Sequence, residues 1–377
     1  MIFMYVLIVA RGYPTERYKT NGIFEFDQAK ALAKAGCKVI FAAIDVRSIR
    51  RWRKWGIERH NIEGVHVMAI NIPCGRIPSG TLNKVSSIGL NMVYHRIVKE
   101  FGQPDVIHAH FTDLAYVTSK LKQRVSVPFV ITEHSSLIMK PVIEEQLFST
   151  AATAYRQAEA VIAVSPALVE IIEKNFSIQS RYVPNIVDLG TFSYGPRTLE
   201  KTFNFVSIGN LIDSKRMDQT IEAFHRSFIN LPHVTLTIFG EGKERPELEK
   251  LIKKHHLESQ VVLRGMCSRK VIAEKLKECD SFVLASRSET FGVAYIEALA
   301  TGVPVIATKC GGPECFVHEG NGLLIPVDDV HALVIAMRYM YDNSRVFDRE
   351  KISAEIRRDF SPERVAKKLI VVYESIT

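Results

Sequence analysis

Apolar residues in this chain gather in short runs. Tyr5–Ala10 reads YVLIVA and Phe203–Ile208 reads FNFVSI, and comparable runs fall at 39–43, 105–110, 129–132, 160–164, 182–185, 235–239, 261–263, 281–285 and 303–307. Brief apolar runs bounded by Gly, Pro or polar residues predict strands buried on both faces. Between them, apolar positions recur at helical spacing, as at 22–35, which Gly36 ends, and at 217–229 and 244–256. Strands that alternate with helices predict mostly parallel sheets covered by helices on both faces, an α/β architecture.

The alternation lapses at 188–202, where Gly190, Gly195 and Pro196 stand among few apolar residues, and it restarts afterwards. That lapse reads as a linker. The pattern predicts one α/β domain over residues 1–190, a second over 191–360, and a C-terminal helix over 361–377 that crosses back to the first domain. Two such domains leave a cleft between them. Open parallel sheets bind ligands beyond the carboxyl ends of their strands. In the second half, Gly209-Asn210-Leu211, Gly240-Glu241-Gly242, Gly265, the stretch 286–292 and Gly311-Gly312 all follow predicted strands. Glycine and small polar residues at so many strand ends describe a rim ready for a ligand.

Composition narrows the class. With 377 residues, 47% hydrophobic and 24% charged, the chain has the balance of a globular protein of more than one domain. No apolar run is long enough to span a bilayer. The apolar N-terminus lacks a basic leader and runs straight into Arg11-Gly12-Tyr13-Pro14, which fits a buried first strand better than a signal peptide. The 6 cysteines form no C-x-x-C pair, so they read as reduced thiols of a cytoplasmic protein. Cys310 and Cys315 flank a Gly-Gly-Pro turn with no matching His/Cys pair, and no metal site is expected. The formal charge is +8, nearly all of it carried by residues 1–190, which points that half towards an anionic partner. The segment from Arg47 to Trp55 concentrates Arg47, Arg50, Arg51, Arg53 and Lys54 around Trp52 and Trp55, both tryptophans of the chain. Cations interleaved with interfacial aromatics suit an anionic membrane surface, which would make the protein peripheral on the inner face of the plasma membrane. A solvated loop with locally packed tryptophans is the plain alternative. No recognised nucleic-acid-binding motif accompanies the segment.

The densest chemistry lies at 286–308, where a loop, a helix, a turn and a strand follow one another. Glu289 falls in the loop and Glu297 in the helix. Helical geometry would separate them by roughly 12 Å, beyond the roughly 5–9.5 Å of glycosidase carboxylate pairs. They suit the two ends of an extended ligand, such as a sugar and a ribose. Between them, the backbone N–H groups of Thr290, Phe291, Gly292 and Val293 open a helix N-terminus, an anion site. On spacing alone, Glu289 could equally be a helix-start acid and Glu297 a solvated residue.

Glu289-x7-Glu297, followed by Ala298-Leu299-Ala300 and Gly302-x-Pro304-Val305-Ile306-Ala307, resembles the signature of the family 4 retaining glycosyltransferases. The resemblance extends to Val183-Pro184-Asn185-Ile186-Val187-Asp188, Gly209-x5-Lys215, Gly240-Glu241-Gly242 and Gly311-Gly312-x-Glu314, nearly the whole chain. It implies the GT-B architecture, two facing Rossmann-like domains. It also implies transfer of a hexose-type sugar from a nucleotide-sugar, UDP favoured and GDP possible, to an acceptor hydroxyl of a glycan or a lipid-linked glycan. Configuration would be retained, with no metal or cofactor beyond the co-substrate. Carried over by position, Glu297 binds the ribose, Glu289 faces the donor sugar, and the backbone of 290–293 meets the diphosphate. Lys215 reaches the phosphates, with Arg216 as a possible helper. Asn210 stands where the family usually has Arg. His134, after a strand in Val130-Ile131-Thr132-Glu133-His134-Ser135, resembles the family's active-site histidine. Asn21-Gly22 resembles the loop facing phosphates and acceptor, where tandem glycine is usual; Asn also tolerates a positive φ. His108 and His110 close another strand end with alternating directions, one of them as a core or loop histidine. Two other classes compete. A dinucleotide-dependent oxidoreductase would want G-x-G-x-x-G after the first strand, where Ala10-Arg11-Gly12-Tyr13-Pro14-Thr15 stands instead. A non-catalytic binding or scaffolding protein on the same fold is kept open by Asn210.

Overall fold

The computed structural model describes residues 4–18, 21–48, 54–74, 77–195 and 202–377. The chain divides into two compact units, Met1–Ile186 with Pro362–Thr377, and Val187–Ser361.

The first unit runs β1 (Tyr5–Ala10), α1 (Ile23–Lys34), β2 (Lys38–Ser48), β3 (Gly56–Ile62), β4 (Val65–Cys74), α2 (Ser79–Phe101), β5 (Val106–His110), α3 (Thr112–Lys122), β6 (Phe129–Glu133), α4 (Glu145–Gln157), β7 (Ala160–Ala163), α5 (Pro166–Phe176) and β8 (Ser180–Tyr182). Its sheet has the order β3-β4-β2-β1-β5-β6-β7-β8 and is parallel throughout except for β3, which runs antiparallel to β4. Every residue of β1, β5 and β6 is buried, as expected for parallel strands covered on both faces. The last helix of the chain, called α12 below, returns here: Val365, Ala366, Leu369, Val372 and Tyr373 join Phe26, Leu32, Val39 and Phe41 in one core.

The second unit runs β9 (Phe203–Ile208), α6 (Met217–Phe228), β10 (Val234–Phe239), α7 (Arg245–Lys254), β11 (Val261–Gly265), α8 (Arg269–Glu278), β12 (Ser281–Leu284), α9 (Val293–Ala300), β13 (Val305–Thr308), β14 (Gly322–Ile325), α10 (Val330–Asn343) and α11 (Arg349–Phe360), after which α12 (Pro362–Glu374) belongs to the first unit. Its parallel sheet has the order β11-β10-β9-β12-β13-β14. The order changes direction beside β9, so the loops after β9 and β12 diverge around one point, where open sheets bind ligands.

Several details differ from the sequence pattern. The β3–β4 hairpin is not among the predicted strands: β3 (GIERHNI) is a polar edge strand with little buried surface, while β4 (VHVMAINIPC) is mostly buried. β2 extends to Ser48, paired with β4 as far as Ser48↔Cys74, so the backbone of Arg47 belongs to a strand rather than a loop. Residues 49–53 lie outside the described residues, and of that basic segment Trp55 stands 58% exposed. Part of the apparent linker is packed: Phe192 is fully buried, and Asp188 closes a turn by accepting from Thr191 Oγ1 at 2.7 Å and, through its carbonyl, from Phe192 N at 2.8 Å. His108 and His110 do not alternate. Residues two apart in a strand share a face, and the two rings stack at 4.4 Å. Among the described residues no helix is long and apolar enough to cross a membrane.

Candidate functional site

In the second unit the strand-end loops assemble around Glu289. The loop after β12 is drawn against the loop after β13 by a parallel bridge between Glu289 and Gly311. Glycine is required at Gly312, where a Cβ would fall 2.3 Å from the Phe291 carbonyl oxygen. Glu289 is 9% exposed. Its Oε1 accepts from Ser286 Oγ at 2.8 Å and from Lys215 Nζ at 2.5 Å. Ser286 is itself fixed, since its carbonyl accepts from Thr308 Oγ1 at 2.5 Å. Lys215 comes from a single 3-10 turn, Asp213–Lys215, between β9 and α6.

Helix α9 opens immediately after this loop. Gly292, at φ 97, is its N-cap, and no side chain caps the helix. The N–H groups at its start are therefore available to an anion. Phe291 is fully buried against Phe316 and Phe360, so only its backbone can serve a ligand. Thr290 and Val293 flank it, half-buried. Because α9 begins at Val293, Glu297 lies in its second turn and the preceding residues belong to the loop. Glu297 is not solvated: at 7% exposure its Oε1 accepts from Arg269 Nε at 3.1 Å and Nη2 at 2.8 Å. The Arg269 guanidinium also lies 5.3 Å from the Phe192 ring centroid.

Two sequence candidates stand apart from this cluster. The Arg216 side chain turns to carboxylates, with Nε 2.8 Å from Asp328 and Nη1 3.0 Å from Asp218. Asn210 is exposed, and its carbonyl accepts from Ile212 N at 2.9 Å within the loop after β9.

In the first unit, His134 sits where β6 ends. Glu133 aims it: its buried Oε1 accepts from His134 N at 2.9 Å and Ser135 N at 2.7 Å, and its Oε2 from Thr112 Oγ1 at 2.5 Å and Tyr155 OH at 2.7 Å. Burial pushes the Glu133 carboxyl up, against the pull of those donors. His134 Nε2 meets His110 Nδ1 at 3.0 Å. Burial, then the Arg11 charge, pushes His134 down to about 3. His110 is lowered by burial and by His108 and His134, so these imidazoles are neutral at ordinary pH. His108 is satisfied by Tyr373 OH and Thr132 Oγ1, each at 2.7 Å, and belongs to the core. Beside His134 lies Phe111, a bulky residue at φ 67 and ψ 150, with ring centroids 4.9 Å apart. Arg11 lies 4.1 Å over the Phe111 ring and pairs with Asp113 at 2.7 Å. Gly22, at φ 66, caps α1; a Cβ there would meet the Gly12 oxygen at 2.0 Å, which explains its identity. Asn21 stays out of the left-handed region, so the turn needs only one glycine.

Sequence inspection missed Arg269, Glu133, Arg11 and Phe111. Glu133, between a strand and the candidate histidine, carried a positional signal. Arg269 and Arg11 carried none, because ion pairs between distant segments leave no local spacing. Among the described residues no group of three or more His, Cys, Asp or Glu side chains could hold a metal ion.

Two parallel-sheet α/β units with their loops disposed in this way define the GT-B fold of glycosyltransferases. A sucrose-phosphate synthase from Thermosynechococcus elongatus superposes with a TM-score of 0.81 at 21% identity, covering 99% of this chain and 98% of that one. Anabaena HepE, in its complex with UDP-glucose, superposes with a TM-score of 0.73 at 19% identity, covering 99% of this chain and 100% of that one. In sequence, residues 26–191 match the family described as Glycosyltransferase Family 4, and residues 196–359 match Glycosyl transferases group 1. An uncharacterized glycosyltransferase of Methanocaldococcus jannaschii is 28% identical over 281 residues, 72% of this chain and 76% of that protein. The chain belongs to glycosyltransferase family 4 and is a glycosyltransferase.

Proposed function

We propose that the chain moves a hexose from a nucleotide-sugar, UDP favoured over GDP, to an acceptor hydroxyl of a glycan or glycolipid. Anomeric configuration is retained and no metal takes part. The observation that carries this reading is the Lys215–Glu289 pair, 2.5 Å apart, just before the uncapped start of α9. It sets a cation and a row of free N–H groups where a diphosphate can be held. The UDP-glucose bound by the HepE neighbour supports a uridine donor.

In this mechanism the diphosphate rests on the N–H groups of Thr290 to Val293, and Glu297 accepts from the ribose hydroxyls. Lys215 turns from Glu289 to the phosphates. As the bond between the anomeric carbon and phosphate oxygen breaks, the electron pair stays on that oxygen. Lys215 and the α9 N–H groups stabilise the charge as it grows, and so act mainly on the transition state. The acceptor hydroxyl attacks from the same face, and its proton passes to the leaving phosphate oxygen. Glu289, freed from Lys215, faces the donor sugar. His134 is neutral, so it contributes a hydrogen bond to that sugar rather than a proton at ordinary pH.

The test is release of nucleoside diphosphate from a panel of UDP-, GDP- and ADP-sugars. Turnover of a UDP-hexose above the others supports the reading. Binding of nucleotide-sugars with no turnover of any, whatever glycan acceptor is supplied, would instead make the chain a binding protein on this fold.

A further inference from the structure

The turn that delivers Lys215 buries none of its residues, so hydrophobic packing does not hold it. What surrounds it is a closed circuit of charges. Asp213 Oδ2 accepts from Arg287 Nη1 at 2.6 Å, and Arg287 Nε donates to Asp328 Oδ2 at 2.7 Å. Asp328 Oδ1 accepts from Arg216 Nε at 2.8 Å, and Arg216 Nη1 returns to Asp213 Oδ1 at 3.4 Å. Gln219 Nε2 also donates to Asp328, at 3.0 Å. The circuit joins the loop after β9, which carries Lys215, to the loop after β12, which carries Glu289, and to the loop after β14. One backbone bond runs alongside, from Arg287 N to Ser214 O at 2.8 Å.

Two members are held in the left-handed region although neither is glycine, Arg216 at φ 50 and Asp328 at φ 57. Such conformations persist where the surroundings over-determine them, and they cluster at functional sites. Here the surroundings include the ion pairs, beside backbone bonds from Arg216 N to the Asp213 carbonyl at 3.1 Å and from Thr220 N to the Arg216 carbonyl at 3.2 Å. Lys215 lies between two members of the circuit, and Glu289 lies two residues beyond a third.

We propose that Asp213, Arg287, Asp328 and Arg216 form a ring of ion pairs that holds the turn carrying Lys215 beside the loop carrying Glu289, with Arg287 and Asp328 as positioning residues for the transfer step. The inference rests on the use of Lys215 proposed above. It assigns Arg216 to holding the lysine turn rather than to the donor phosphates. Arg287 donates to two carboxylates at once, a task for a planar guanidinium that an ammonium does not perform in the same geometry.

The experiment compares wild type with Arg287→Lys, Arg287→Gln, Asp328→Asn, the Arg287→Gln/Asp328→Asn double variant and Lys215→Ala. For each, kcat, the acceptor KM and hydrogen exchange across residues 213–217 are measured at low and high salt. Asn tolerates the left-handed region, so Asp328→Asn removes charge without adding backbone strain. Each ring variant is expected to lose about ten-fold or more in kcat with little change in acceptor KM, and to exchange faster at 213–217. Arg287→Lys is expected to fall with Arg287→Gln. The double variant is expected to be no worse than the weaker single one, because both break one circuit. Wild-type kcat is expected to fall as salt screens the exposed pairs, and the Asp328→Asn kcat to change less. Wild-type kcat and exchange in Asp328→Asn and Arg287→Gln, with Lys215→Ala inactive, would overturn the ring while leaving the lysine's role intact. Wild-type turnover in Lys215→Ala would remove that role, and the inference with it.

Discussion

Glu289 and Glu297, which flank the start of one short helix, are each tied to a different cation, Lys215 and Arg269. That difference divides their work. Glu297 meets a cation from the segment after β11 and is proposed to hold the ribose; Glu289 meets the proposed phosphate lysine and is proposed to face the sugar. Glu297→Ala is therefore expected to weaken binding of the free nucleoside diphosphate by about ten-fold or more, the loss of a charged hydrogen-bond acceptor. Glu289→Ala is expected to bind it nearly as wild type but to lose turnover. Isothermal titration beside steady-state kinetics checks both, and the reverse pattern would exchange the two assignments. At this scale the motif residues were legible because they are close in sequence, Ser286 to Glu297. Their partners were not. Arg269 comes from the start of another helix and Asp328 from beyond β14, so each is brought in by the sheet rather than by spacing.

Among the elements, β1, β7, β12 and β13 were plain because nearly every position in them is apolar or small, whereas polar β3 and short β14 left little pattern and buried β4 was passed over. β5 and β6 also carry an arrangement that periodicity hid: stacked His108 and His110, followed by His134, all buried and neutral. A buried histidine lowered well below its ordinary value binds fewer protons folded than unfolded. Its contribution to stability is whole above about pH 6.5 and is lost as pH falls towards the depressed folded value. At pH 5 each such imidazole opposes folding by up to about 2 kcal/mol. Glu25, raised to about 7 chiefly by burial, works in the opposite direction over part of that range. Comparison with a variant isolates the histidine. His110→Asn is expected to lose less melting temperature between pH 7 and pH 5 than wild type does. Parallel melting curves across that range would mean that burial does not lower the proton affinity of His110.

For the whole molecule, the lapse in the α/β pattern and the restart after it stood in the sequence, while the packing of Phe192 inside the second unit did not, since one aromatic in a Gly- and Pro-containing stretch carries no period. The charge excess of residues 1–190 has no counterpart in the second-unit site, and the cations from Arg47 to Lys54 beside exposed Trp55 motivate a membrane partner. At about 1 kcal/mol per cation near an anionic surface, these cations would support the proposed reversible docking on a membrane. Co-sedimentation with anionic vesicles is expected at low salt, weakened at high salt and in a variant with Arg50, Arg51, Arg53 and Lys54 neutralised; equal sedimentation of both proteins would place the contact elsewhere. The proposed retaining transfer, driven by a cation on the leaving diphosphate, can be followed through the anomeric protons of a UDP-α-hexose by NMR with wild type and Lys215→Ala. Wild type is expected to convert the donor signal into a product signal that keeps the small α coupling, and Lys215→Ala to do so about 100- to 1,000-fold more slowly. A product with the large β coupling would rule out retention, and equal rates for the two proteins would rule out the role of Lys215.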